Sequence, residues 1–185
     1  MNIAVIDVET NYNDEVMSIG IVIANAATYQ KIDSKYYILA PEYQVGGMYS
    51  LMMKLPSQKP VITQRNKAIN EIKTLLRTYS VTNLFAYNAK FDYHRLYELS
   101  DFVWHDIIGV AAYKQYNHKI PSDTPCCATG KMKRGYSVEN MMKILSGDDC
   151  YVEKHNALCD ALDELKIMRL LGVSINMYEV AVINR

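Results

Sequence analysis

The chain has 185 residues, 50% of them apolar, and its 20 Lys and Arg balance its 20 Asp and Glu to a formal net charge of zero. That length and apolar share predict one domain with a full core and exclude a disordered chain. The balanced charge excludes a broad basic coat for nucleic acid, and no apolar run approaches the ~20 residues of a membrane span.

Met1-Asn2 leads directly into the apolar run Ile3-Ala4-Val5-Ile6, so no leader segment is expected. A run without polar alternation reads as a strand buried on both faces, at the centre of a sheet. It ends in Asp7-Val8-Glu9-Thr10-Asn11. Strand side chains alternate, so Asp7 and Glu9 share a face and Val8 takes the other. Like charges ~4 Å apart repel by roughly 4 kcal/mol at an effective dielectric of about 20. A hard divalent cation with oxygen ligands is the simplest partner for such a pair. Open α/β sheets form their sites outside the carboxyl ends of central strands, where this pair lies.

Residues 12–14 read as a loop and 16–24 as a second strand, with Gly20 a weak point or bulge. Residues 32–40 read as a third strand, Asp33 and Lys35 facing away from Tyr36 and Ile38; short connections predict an antiparallel meander. Residues 41–60 form a loop or lid. Its Met48-Tyr49-Ser50-Leu51-Met52-Met53 stretch reads either as a short helix packed on the core or as an adaptable flap beside the site. Thr63 is placed as the N-cap of a helix reaching Tyr79, with Ala68, Ile69, Ile72, Leu75 and Leu76 as its apolar stripe.

Residues 83–87 read as a fourth strand, 91–99 as a helix and 102–104 as a fifth strand, after which Asp106 caps a helix beginning at Ile107. Residues 117–135, with Pro121, Pro125, Gly130 and the Lys131-Met132-Lys133-Arg134 cluster, read as an irregular insertion. Cys126, Cys127, Cys150 and Cys159 form no C-x-x-C pair and read as reduced thiols, hence a cytoplasmic location. Ser137 caps a helix with Val138, Met141, Met142 and Leu145 inward, stopped by Gly147. A last helix spans 156–171 with Gly172 as its C-terminal cap. The apolar tail 174–185 reads as an extra strand or a dimer contact of the same domain that residues 1–173 form. The sum is an α/β fold with a five-stranded mixed sheet flanked by helices on both faces.

Three segments carry acids at positions that matter. Asp7 and Glu9 end the first strand, and Asp92 lies in the first turn of a helix, where it also suits the helix dipole. The third segment is His155-Asn156-Ala157-Leu158-Cys159-Asp160-Ala161. At roughly 100° per residue, His155 and Asp160 would point ~140° apart on one helix. They converge only if His155 sits on the loop before the helix, mobile over a rigid Asp160.

This combination closely resembles the DEDDh group of DnaQ-like 3′–5′ exonucleases, the group of RNase T and the polymerase proofreading subunits. Ile6-Asp7-Val8-Glu9-Thr10 matches the first motif, Asn88 to Asp92 the second (Asn-x-x-Phe-Asp), and His155 to Ala161 the third (His-x-Ala-x-x-Asp-Ala). Tyr136 to Met141 resembles the helix before motif three. The sister group has a tyrosine where this chain has Asn156, so the histidine group is the match.

The resemblance implies a ribonuclease H-like fold and two divalent cations, Mg2+ or Mn2+, held by Asp7, Glu9, Asp92 and Asp160, with His155 as general base. It implies single-stranded or frayed 3′ ends of DNA or RNA as substrate and 5′-mononucleotides as product. Thr10, Asn11, Tyr12, Asn88 and Phe91 are the expected substrate contacts; Tyr12, Tyr87 and Phe91 offer rings for base stacking. A polymerase or a second copy of the chain is the protein partner considered, and no membrane. The competing class is a nuclease fold kept only for binding, which the presence of all four acids and the histidine disfavours. His94, His105 and His118 are expected to be structural or exposed, and Asp163 and Glu164 to be exposed.

Overall fold

The computed structural model describes residues 1–54 and 59–185. Strands β1 (Asn2–Thr10), β2 (Val16–Asn25) and β3 (Lys31–Leu39) form the antiparallel meander that their short connections predict. Two 3-10 helices, Glu42–Val45 and Ser50–Lys54, follow; the remainder of the expected lid, residues 55–58, lies outside the described residues. Then come β4 (Val61–Thr63), parallel to β3, and α1 (Arg65–Thr78).

Strand β5 (Asn83–Ala86) pairs parallel with β1; α2 (Lys90–Arg95) and a 3-10 turn, Tyr97–Leu99, lead to β6 (Val103–Asp106), parallel to β5. Three helices complete the fold: α3 (Ile108–Ala111), α4 (Val138–Ser146) and α5 (Ala157–Leu171). The sheet order is β4-β3-β2-β1-β5-β6, with β1 central.

The sheet thus has six strands rather than the expected five, and Thr63 ends β4 instead of capping α1, whose N-cap is Gln64. The carbonyl of Thr63 receives the N–H of Ala40 at 2.9 Å. A three-residue edge strand whose Val61 and Ile62 stay exposed shows no alternation to read.

Alternation along β1 divides the core. Ile3 and Val5 pack with α4 and α5, while Ala4, Ile6 and Val8 pack with α1 on the other face. Asp7 and Glu9 continue the first set and so face α5. Gly20 is the cross-strand partner of Asp7, and the register runs through it unbroken, so it is no bulge; the irregularities fall at Glu9/Thr10 and Ile23/Ala24. A Cβ at Gly20 would lie 2.2 Å from the Ala157 carbonyl carbon. This glycine lets the first turn of α5 rest on the sheet.

Ser137 accepts from the Asn140 N–H, and Gly147 and Gly172 end α4 and α5 in the left-handed conformation, as expected. Asp106 belongs to β6; its Oδ1 accepts from the N–H groups of Ile108 and Asn88, both at 3.0 Å, and the helix starts at Ile108.

The tail covers the β6 edge of its own chain. Its 3-10 helix, Ile175–Ala181, buries Tyr178 edge-on to Phe85, and the Ile183 N–H donates to the Trp104 carbonyl at 3.0 Å. The expected extra strand is reduced to one bridge between His105 and Val182. No helix among the described residues is long and apolar enough to cross a membrane.

Candidate active site

Three elements deliver the four acids. The end of β1 carries Asp7 and Glu9. Asp92, 1% exposed in α2, accepts the N–H of Val8 through Oδ1 at 3.1 Å, which ties motif two to the strand between the two motif-one acids. Asp160 sits in the first turn of α5 and is 4% exposed.

Asn156 caps α5 in extended conformation, its side chain accepting from the Cys159 N–H; His155, with φ of 51°, lies off the helix. That is the arrangement the ~140° argument requires. Glu9, His155 and Asp160 each bring one ligand atom to within 4.8 Å of the others.

The electrostatics describe a site short of positive charge. Burial pushes Asp7 well up, and Asp92, Glu164, Asp160 and Glu9 push it further. Burial, then Glu153, raises Glu9 to about 7, against a hydrogen bond with Asp160 that lowers it. Asp160 rises to about 8, through burial first and then Glu153 and Glu9. Asp92 is also well up, from burial, despite the Val8 N–H. Asp7 Oδ2 and Asp160 Oδ1 are buried with no hydrogen-bond partner. Hard oxygen donors, mutual repulsion and unpartnered lone pairs fit a divalent cation.

Glu164 corrects an expectation. It is 2% exposed, not a surface residue, and its Oε2 has no partner. The signal was its position four residues beyond Asp160, on the same helix face. Asp163 is half-buried and accepts from the Tyr151 hydroxyl at 2.8 Å.

The lid joins the two readings: Ser50–Lys54 is a short 3-10 helix that packs Met53 into the core, and the same segment borders the site. Tyr49 stacks on His155, with ring centroids 4.0 Å apart. Asn156 Nδ2 donates to the Met52 carbonyl at 2.8 Å and to the Tyr36 hydroxyl at 3.1 Å. The Tyr12 N–H donates to the Gly46 carbonyl at 2.9 Å, and a Cβ at Gly47 would stand 2.6 Å from the Thr10 carbonyl oxygen. The flap therefore joins the end of β1 to the start of α5.

The expected substrate contacts divide. Tyr12 is 75% exposed, Asn88 and Phe91 are exposed, and Thr10 is half-buried. Asn88 has φ of 62°. The Arg95 guanidinium lies 3.6 Å over the Phe91 ring. The Asn11 side chain is buried and spent on its own turn, accepting from Asn13 and Glu15 and donating to Glu15 and the Glu42 carbonyl. Tyr87 is buried and its hydroxyl donates to the Tyr136 carbonyl at 2.6 Å, so it packs rather than stacks on a base. His94 and His118 are exposed, and His105 is buried between Tyr178 and Asn83. All four cysteines are free, and none joins a metal-type cluster among the described residues.

Sheet order and flanking helices define a ribonuclease H-like fold, the fold of solved 3′-exonucleases. Among solved structures, the chain is similar to the nuclease domain of 3′hExo, a DEDDh family member, bound to rAMP. Identity there is 15% and the TM-score 0.63, over 100% of this chain and 96% of that one. It is also similar to Exonuclease X in complex with 5′ overhanging duplex DNA, at 15% identity and a TM-score of 0.55, over 96% of this chain and 98% of that one. E. coli Exonuclease I in complex with a dA16 oligonucleotide matches at 15% identity and a TM-score of 0.58, over 91% of this chain and 40% of that one. No protein-family model matches the chain, and no curated protein sequence does.

Proposed function

We propose that the chain is a metal-dependent 3′–5′ exonuclease that removes nucleotides from single-stranded or frayed 3′ ends of DNA or RNA as 5′-mononucleotides. The observation that carries this reading is the convergence of Glu9, Asp160 and His155 within 4.8 Å, beside the half-buried Asp7 and the buried Asp92. Asp7, Glu9, Asp92 and Asp160 are the residues that would hold two divalent cations, Mg2+ or Mn2+. Bound cations at such a site make water acidic and offset the negative charge that builds on a phosphate under attack.

The chain's own groups supply the rest. His155 takes the proton of the attacking water as the water oxygen bonds to phosphorus and the bond to the leaving 3′ oxygen breaks. Its place off the helix lets it close over the acids without distorting α5. The exposed rings of Tyr12 and Phe91 offer faces for the terminal bases. Neighbours of the same fold hold rAMP and a dA16 oligonucleotide, which supports a nucleotide chain end as the ligand here.

The test is a time course on 3′- and 5′-labelled DNA and RNA strands with Mg2+ and with chelator. Shortening from the 3′ end only, dependent on Mg2+, is the expected result. Cleavage of a circular single strand at a rate comparable to that of a linear one would overturn the exonuclease reading.

A further inference from the structure

We infer that Glu164 is a fifth carboxylate of the acid centre, on the side of Asp7 and Asp92, and that it raises the affinity of the site for its second divalent cation. The inference rests on the metal-dependent reading above.

Glu164 stands one helical turn beyond Asp160, on the face of α5 that packs against β1 and β2. The backbone N–H of Tyr87, just past the end of β5, donates to its carboxylate. Its second oxygen, Oε2, is buried without a partner, as is Asp7 Oδ2. β5 runs parallel to β1 with Phe85 opposite Val5, so Tyr87 comes off the strand beside Asp7. Glu164 therefore stands on the Asp7 side of the cluster, where burial pushes its own carboxyl well up.

Among the described residues no Lys, Arg or His forms an ion pair with Glu164. The ion pairs among the described residues are Arg65–Glu98, Arg95–Asp14, Lys143–Glu139 and Arg185–Glu179. A leucine or methionine would fill the same volume without the cost of burying an unpaired carboxylate. A glutamate there is explained by a bound cation, and the affinity of an oxygen-lined site depends on how many charged ligands it offers. Glu164 lies outside the three motifs, so its place is set by helix geometry alone.

The test uses the metal-stripped full chain, titrated calorimetrically with Mn2+ as wild type, Glu164→Gln and Asp160→Asn. Gln keeps the volume and the acceptor for the Tyr87 N–H. Wild type is expected to take two ions. Glu164→Gln is expected to bind the first like wild type and the second roughly 10–100-fold more weakly, with a smaller rise in melting temperature on adding Mn2+. Glu164→Gln binding both ions with wild-type affinity would overturn the inference and make Glu164 a neutral packing residue. If Glu164→Gln does not fold, wild type carries the test: the Glu164 side-chain carbon-13 signal must move during the second step of a Mg2+ titration, and a static signal overturns the inference. Asp160→Asn separates the two levels. If it too binds both ions like wild type, the metal-dependent reading of the whole site falls; if only Glu164→Gln does, the role of Glu164 falls alone.

Discussion

The imidazole of His155 lies flat against the ring of Tyr49, with centroids 4.0 Å apart and planes 13° from parallel. A residue of the flap thus sets the plane of the proposed base. An aromatic pair contributes about 0.5–1.5 kcal/mol, so Tyr49→Ala should lower turnover by roughly 2- to 10-fold. The Michaelis constant and the Mg2+-induced rise in melting temperature should hold, and Tyr49→Phe should restore turnover. Steady-state kinetics on a labelled oligonucleotide reads this; unchanged turnover in Tyr49→Ala would mean that the stack only packs the flap.

His155→Ala removes the proton acceptor and leaves the helix cap to Asn156. Turnover should fall by roughly 10²–10⁴-fold, with the melting temperature nearly unchanged. A variant with near-normal turnover at neutral pH would place the base elsewhere.

Asp160→Asn removes one member of a mutually repelling set. Turnover should fall by orders of magnitude, while the metal-free melting temperature holds or rises. Magnesium should raise the melting temperature of wild type more than that of the variant, because binding to the folded state alone stabilises it. Equal rises in both would remove Asp160 from the cation site.

The raised carboxylates give the metal-free protein an unusual pH dependence. Glu9 moves up to about 7 and Asp160 to about 8, so the folded chain holds more protons than the unfolded chain from about pH 4 upward. Where the folded state binds more protons, stability falls as pH rises. In chelator, the melting temperature should therefore drop between about pH 5 and 8, and saturating Mg2+ should flatten or reverse the drop. A rise with pH in chelator would contradict the charge balance described for the site.

Gly20→Ala tests how α5 is seated. Its methyl group would collide with the backbone of Ala157, 2.2 Å away, and backbone cannot step aside as a side-chain tip does. The cost should be about 1–3 kcal/mol, with turnover reduced because Asp160 moves with its helix. A denaturant midpoint equal to wild type would show that α5 shifts freely.

The motif residues were legible because each sits where local chemistry is decisive: a strand end, a first helical turn, a loop before a cap. The off-helix position of His155 followed from angular spacing alone. The second and third strands, α4 and α5 were legible from apolar runs and caps. Strand β4 was not, since three residues at a sheet edge show no period. Glu164 was misread as exposed although it follows Asp160 by one turn; how far along α5 that face stays buried depends on the seat that Gly20 makes, a contact across 137 residues of chain. The role of the flap was legible only as two alternatives, and the structure combines them, with Met53 in the core and Tyr49 against His155.

The bond from Val8 to Asp92 and the seat of α5 on β2 also set when in the life of the chain the site comes to exist. Synthesis proceeds from the amino end, so a nascent chain carries Asp7, Glu9 and Asp92 long before His155 and Asp160 emerge. Residues 157–171 are the last of the site's elements to be made, and they close it. A nascent fragment that stops short of α5 holds Asp7, Glu9 and Asp92 without Asp160 and without the helix that seats His155 beside them.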